Sequence, residues 1–300
     1  MSRTAIDFTL GARRLASVPR DLATWAFTLE DVLAGRLPPA PPLARDGVRV
    51  LSAPSALIPQ IAARYPDVIA GGRQDYQRRY IDMALGFEDY MARFSGKTRS
   101  TFKRKARKLA EAAAGGFHVT AHRTPAEIER FLAAALPLSA KTYQARLLNA
   151  GLPDDPAARR AMLEAAEADR MRAFLLHAGG TAIAYLALPV SGQTLIYAHL
   201  GYDPDWARLS PGTVLQIEAL ALLFAEQRFA WFDFTEGKGD HKALFGTHAA
   251  ACSSLVLLRP TLANRTLLGA RAAFDAGTAG AKALAERSGA LGRIRAVLRT

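Results

Sequence analysis

The sequence predicts a mixed α/β fold. From Phe117 to Leu258, short strand-like runs and longer amphipathic runs follow one another in the order β-α-α-β-β-β-α-β-α-β. Half of the 300 residues are apolar and 22% are charged, which is enough for a sizeable core and unlike a disordered chain. No stretch of roughly 18 uninterrupted apolar residues is present, which argues against a spanning helix; residues 213–225 come nearest but contain Gln216 and Glu218.

Taken in order, residues 1–24 show no strong periodicity. A helix is expected over Trp25–Arg36, then a connector stiffened by Pro38, Pro39, Pro41 and Pro42. Val48–Ser52 alternates like a strand. Residues 55–65 and 74–93 read as helices, the second with Tyr76, Tyr80, Met83, Phe87 and Met91 on one face. A basic helix over Thr98–Ala114 stops at Gly115-Gly116. After a strand at Phe117–His122, Thr124 can N-cap a helix that has Pro125 at its first position and Glu127 in its first turn. Residues 156–170 form a further helix. Arg172–His177 and Thr181–Pro189 read as a hairpin about Gly179-Gly180. Gln193–Gly201 is a strand, Pro211–Gln227 a long apolar helix, Phe229–Thr235 a strand, His241–Phe245 a short helix and Ser253–Leu258 the last strand.

Charge and cysteine content narrow the function. Lys+Arg outnumber Asp+Glu by 39 to 27, an excess of 12 that favours anionic partners. Lys97, Arg99, Lys103, Arg104, Lys105, Arg107 and Lys108 form one cluster. The other runs along the tail through Arg259, Arg265, Arg271, Lys282, Arg287, Arg293, Arg295 and Arg299. Each holds a single aromatic, Phe102 or Phe274, rather than a series interleaved with the cations, and no RRM, KH or zinc-finger signature is present, so the sequence points away from nucleic acid. In the tail, Leu267, Phe274, Leu284, Leu291, Ile294 and Leu298 recur at helical spacing among arginines, a pattern suited to an anionic membrane surface, although five glycines weaken the helix. The single cysteine, Cys252, excludes an intramolecular disulfide and a four-cysteine zinc site. The first 21 residues do not read as a secretory signal. The expected location is the cytoplasm, with peripheral contact at the inner membrane.

There is no Walker A sequence, HExxH, GxSxG or GxGxxG before a helix. His199 and Asp203 are too close for an HxxxxD pair. The informative stretch is Tyr197–Phe245, in which a strand leads through a turn to Ser210-Pro211-Gly212-Thr213 at the start of the long helix. A helix start offers unpaired N–H groups and a positive dipole end, and small residues let a phosphate approach. The plainer role of Ser210 and Pro211 is an N-cap with proline in the first turn.

Three motifs in order then resemble the GNAT superfamily, in its cellulose-biosynthesis-acetyltransferase-like branch, which is similar to the peptidoglycan-bridge aminoacyltransferases. They are SGKTRSTFKRKARKLA (Ser95–Ala110), GYDPDWARLSPGTVLQIEAL (Gly201–Leu220) and FDFTEGKGDHKALFG (Phe232–Gly246). The likeness covers residues 95–258 well and 1–94 loosely, as a degenerate first GNAT-like half. It suggests an accessory or GNAT-like segment at 1–94, a GNAT acyltransferase domain at 95–258 and a basic amphipathic tail at 259–300. His241 departs from the family pattern, in which an aromatic commonly precedes the lysine.

The resemblance implies an acyl-CoA donor lying in a V between two diverging parallel strands, here Gln193–Gly201 and Phe229–Thr235, with no metal. It implies a donor pyrophosphate on the helix start, Arg208, Ser210, Pro211, Gly212 and Thr213, and pantetheine along Ala198 and Leu200. Direct amine attack on the thioester needs a base and oxyanion donors. Candidate catalytic residues are His199, expected to share a strand face with Leu195 and Tyr197, Asp233, expected to share one with Trp231 and Thr235, Glu236, and Lys242, which matches a lysine linked to transition-state charge in the related aminoacyltransferases. Tyr202, Arg104 and His241 are candidates for substrate contact. Each has an ordinary role open to it: a core histidine, a turn-capping aspartate, a solvent-facing glutamate, a surface lysine. The narrowest reading is N-acylation of a sphingoid long-chain base, as in bacterial ceramide synthases. Alternatives are acetylation of an amino sugar, aminoacyl transfer from tRNA, and a non-catalytic GNAT-like binding module.

Overall fold

The computed structural model describes residues 4–10, 13–113, 115–142, 151–237 and 239–287. Of the tail positions singled out above, Leu291, Arg293, Ile294, Arg295, Leu298 and Arg299 lie outside the described residues. The chain divides into two compact units, one of Met1–Arg78 with Ala250–Thr300, the other of Arg79–Ala249.

In the first unit, β1 (Thr4–Leu10) and β2 (Arg13–Arg20) pair antiparallel. The strand β3 (Leu22–Ala26) runs parallel to β4 (Gly47–Pro54), which pairs antiparallel with β12 (His248–Leu258) from Cys252 to Leu258. The helix expected at Trp25–Arg36 is shorter. Trp25 and Ala26 stay in β3, and α1 (Leu29–Ala34) starts where Thr28 and Asp31 form a capping box, then stops at left-handed Gly35. After α2 (Ile58–Ala63) comes β5 (Ile69–Asp82), and the long α9 (Leu262–Arg287) closes the described chain. Trp25, Val48, Val50, Ile61, Cys252 and Leu257 make this unit's main core. The Cys252 thiol is fully buried.

The expected helix over residues 74–93 is instead the strand β5 followed by α3 (Phe87–Ala92). Tyr76 and Tyr80 are four apart, and four residues is close to one helical turn but also two full strand repeats. Burial decides between them: Tyr76, Arg78 and Tyr80 are buried while Gln77 is exposed.

In the second unit, β6 (Phe117–His122), β7 (Met171–Ala178) and β8 (Thr181–Ser191) form an antiparallel meander. Next to β8 lies β9 (Thr194–Ile196), and β11 (Trp231–Asp233) joins β9 in parallel. The end of β5 pairs antiparallel with β11, with Ile81 opposite Phe232. Both faces are covered, so β7 and β8 read as nearly unbroken apolar runs. On one face, α4 (Gly96–Ala112) and α7 (Pro211–Ala225) enclose Phe102, Leu176, Leu186, Leu220, Phe232 and Phe234. On the other, α5 (Pro125–Lys141) and α6 (Pro156–Glu167) cover Phe131, Leu132, Leu175, Tyr185 and Ala187. The cap expected at Thr124 is a full capping box with Glu127, and Pro125 is at the first position. The unit begins at Arg79 rather than at 95 because Tyr80–Asp82 pair with β11 and Phe87 packs on Phe224 of α7 at 5.9 Å.

A charge cluster ties β7 to the end of α7. The buried Arg172 guanidinium donates to both Glu226 carboxylate oxygens at 2.9–3.1 Å, and its NH1 reaches Asp169 at 2.8 Å. Asp169 also accepts from Arg123 and Arg228. Hydrogen bonding from Arg123, then Arg172 and the nearby cationic charge, holds the Asp169 carboxyl down from 3.8 to about 2. The stabilisation is complete above about pH 3.8 and disappears as pH falls through about 2. Allowing for solvent screening, Asp169→Asn is expected to cost about 1–2 kcal/mol at pH 7. In urea titrations the gap to wild type should close as pH approaches 2; a pH-independent gap would show that the ionised carboxylate is not the source.

Candidate functional site

The site is built on a one-residue slip. In β9, Leu195 pairs with Val190 of β8, whereas in β10 (His199–Tyr202) His199 pairs with Ala187. The chain advances four residues on one strand and three on the other, so Ile196–Ala198 contain one extra residue, a bulge. The single strand expected over Gln193–Gly201 is therefore two.

The slip exchanges the faces of everything after it. Leu195 and Tyr197 lie against the α7-side core, and beyond the bulge so does Leu200. His199 therefore does not share a face with Leu195 and Tyr197; it turns to the α5 side with Gly201. A Cβ on Gly201 would stand 2.4–2.6 Å from the Tyr185 ring, and that ring belongs to the α5-side core.

The slip also ends the parallel ladder. Asp233 opposite Ile196 is its last pair, and the Tyr197 N–H to the Asp233 carbonyl at 2.9 Å its last hydrogen bond. Beyond it β10 stays on β8, while the other chain turns away at Thr235, whose φ is +59°. The two parallel strands diverge as expected.

The start of α7 lies behind β10. A Cβ at Gly212 would meet Leu200 Cδ2 at 3.0 Å and Tyr202 Cδ1 at 3.2 Å, so only glycine fits this approach comfortably. Ser210 is left-handed and its side chain makes no cap; its carbonyl accepts from Thr213 and Val214 N–H at 3.0 and 3.3 Å. The hydroxyl thus does not take the plain capping role. Lys105 of α4 reaches this helix start, with Nζ 3.4 Å from Thr213 Oγ1. Burial, then the charge of Arg104, lowers the Lys105 pKa.

Arg104 itself is exposed and makes no polar contact with the helix start among the described residues. The periodicity held the signal that the sequence reading passed over. Lys105 is three residues after buried Phe102 and four before buried Leu109, so it lies on the inward stripe and Arg104 does not. Arg208 is also exposed, on the short 3-10 turn Pro204–Leu209, and Ala198 is exposed at the bulge.

The opposite rim is the end of β11 and α8 (Asp240–Phe245). Asp233 is buried, and its Oδ1 accepts the Thr235 N–H at 2.8 Å, a turn cap. Lys242 Nζ donates to the carbonyls of Phe234 at 2.7 Å and Glu236 at 2.5 Å. It is a strut for the loop, not a free surface lysine. Burial lowers its pKa, while Asp233 and Glu236 oppose that shift. Glu236 is exposed. His241 packs on Tyr197 at 5.7 Å and Phe234 at 6.2 Å, and burial, then the Lys242 charge, lowers its pKa.

Asp233 pairs with Ile196 and lies between Phe232 and Phe234, which face the α7-side core. It therefore shares the α5-side face of the sheet with His199. Burial lowers the His199 pKa, so the imidazole is neutral near pH 7 and able to accept a proton. Among the described residues no group of three or more His, Cys, Asp or Glu is arranged to hold a metal ion.

Diverging parallel strands with a helix start behind them are the arrangement that the family resemblance implies for an acyl-CoA donor. Residues 96–243 match the acetyltransferase (GNAT) domain family. On that match the protein is an N-acyltransferase enzyme. Among solved structures, it is similar to the C-terminal DUF2156 domain of a protein described as a lysylphosphatidylglycerol synthetase from Agrobacterium fabrum, at 12% identity over 75% of this chain and 72% of that one, with a TM-score of 0.50. L-PGS from Bacillus licheniformis aligns at 13% identity over 75% and 72%, TM-score 0.47. FemX aligns at 10% identity over 69% and 71%, TM-score 0.48. No curated protein matches the chain. No helix among the described residues is long and apolar enough to cross a membrane.

Gly201→Ala is expected to cost about 1–3 kcal/mol by overpacking against Tyr185. In a double-mutant cycle with Tyr185→Leu, the pair should cost less than the sum of the singles. Strict additivity in urea melts would show that ring and glycine do not constrain each other.

Proposed function

We propose that the protein transfers an acyl group from acyl-CoA to a primary amine by direct attack, with the thioester in the gap where β10 and β11 part. The observation that carries this reading is the slip between β9 and β10. It ends strand pairing at Tyr197, and it turns His199 to the face opposite the α7 start. Donor and acceptor can then approach from different sides.

The amine nitrogen attacks the thioester carbonyl carbon, and its proton passes to the neutral His199 imidazole. Backbone N–H groups of Ala198–Gly201 hold the pantetheine and receive the oxyanion. Collapse of the tetrahedral adduct breaks the carbon–sulfur bond and expels the CoA thiolate, which takes a proton from Tyr202 or water. Products are an amide and free CoA. The donor pyrophosphate lies at Gly212 and Thr213, where the helix dipole and Lys105 oppose its charge. Asp233 and Lys242 act as positioning residues that fix the turn and the loop after β11.

The narrower acceptor is a sphingoid long-chain base. The charge excess of 12 and the leucine and arginine pattern of α9 favour a lipid at an anionic surface. An amino sugar is the alternative. Mass spectrometry of products from a panel of acyl-CoAs and amines separates the two by product mass, and absence of turnover with every acyl-CoA would overturn the reading.

Because burial lowers the His199 pKa below its usual 6.5, kcat/KM should stay level through neutrality on the acid side and fall only below pH 6.5. His199→Ala should lower kcat by about 10²–10⁴-fold and abolish that acid limb; a retained limb would assign it to another group. Lys105→Ala should weaken CoA binding about tenfold in calorimetric titration, whereas unchanged affinity would remove Lys105 from the donor site.

A further inference from the structure

A groove of about 470 Å³ runs along the first two turns of α7, beneath α3 and α4. It begins at Thr213, the residue that meets Lys105 at the helix start, and ends at Glu218. Glu218 lies five positions along the helix from Thr213, about 7.5 Å of rise. Phe87, Met91, Phe102 and Ile217 give it apolar walls.

Two charged groups in it lack partners among the described residues. Glu218 is half-buried, with no hydrogen bond or ion pair, and burial raises its pKa. Lys103 stands at the exposed rim with no acidic partner. Arg99 also lines the groove, but its guanidinium is committed to the Ala92 and Phe94 carbonyls at 3.0 and 2.5 Å. Glu88 is exposed at the mouth.

We propose that this groove receives the adenosine 3′-phosphate end of the donor, with the base between the apolar walls, its exocyclic amine donating to Glu218 and the 3′-phosphate on Lys103. The assignment rests on the acyl-CoA reading above. An acyl chain would fit the walls but leave the Glu218 carboxylate without a partner, a cost that burial enlarges. A protonated amine would pair with Glu218 but not with Lys103. A nucleotide with a donor amine and an anionic phosphate satisfies both, and it reaches the groove directly from a pyrophosphate at Thr213.

Calorimetric titration with CoA, dephospho-CoA and pantetheine tests this without reference to acyl chain length. Wild type should bind CoA about tenfold more tightly than dephospho-CoA, the order of one charge-assisted phosphate contact. Lys103→Ala, at an exposed position, should erase that difference. Glu218→Ala should weaken CoA and dephospho-CoA by a similar factor and leave pantetheine unaffected. Equal binding of CoA and dephospho-CoA by wild type, or a preference that survives Lys103→Ala, overturns the groove assignment alone. Failure of wild type to bind CoA at all overturns both this assignment and the acyl-CoA reading.

Discussion

One extra residue between β9 and β10 governs the geometry of the second unit. A strand in continuous register would pair with both neighbours along its length, and its side chains would alternate without interruption. With the slip, Leu195 and Leu200 both face the α7-side core although five residues apart, and the backbone between them leaves β11. The site is a place where the sheet's hydrogen bonding is withheld. The neighbouring packing maintains this state. Tyr185 fills the volume beside Gly201, and its hydroxyl donates to Ser139 Oγ at 3.0 Å, which also accepts the Leu152 N–H at 2.8 Å.

The frame around that interruption is rigid for independent reasons. Phe232 and Phe234 are fully buried with Tyr197 against them, so β11 is anchored by aromatic packing on one face and by the Asp233 cap on the other. The far end of α8 is clamped by α3: Tyr90 O–H and Arg93 NH1 both donate to the Phe245 carbonyl, at 2.9 and 2.8 Å, and Phe102 stacks on Phe245. Lys242 then fixes the loop between these anchors. A loop held at both ends and propped by an ammonium under two carbonyls can keep a buried carboxylate on the sheet face that also carries the half-buried His199 imidazole.

Much of this is legible in the sequence. Thr124-Pro125-Glu127 specifies a helix start by chemistry confined to four residues, and the Gly179-Gly180 turn and the apolar run of α7 are equally local. Most of the candidate residues lie near the parting of β10 and β11 because the motifs carrying the family resemblance bracket that point. What escaped depends on register. Tyr76 and Tyr80 satisfy two periods at once, so only a strand partner could decide between them. Nothing in the types of Ile196, Tyr197 and Ala198 announces an added residue, yet that residue reverses the face of His199. Lys105 was hidden among six other cations, though the burial of Phe102 and Leu109 picks it out. Strands β1 and β2 were missed because the first 24 residues show neither clear period.

The surface that confronts the first turns of α7 is supplied by α3 and α4, and both precede β6, the first strand of the meander, in the chain. Apart from the end of β5, the strands of this unit and the facing surface are thus encoded in successive segments. Substitutions along one side of α4 can remodel what that helix start encounters while strand order, bulge and aromatic anchors stay as they are. What meets that helix start can therefore be altered through α3 and α4, six and seventeen residues that belong to no strand.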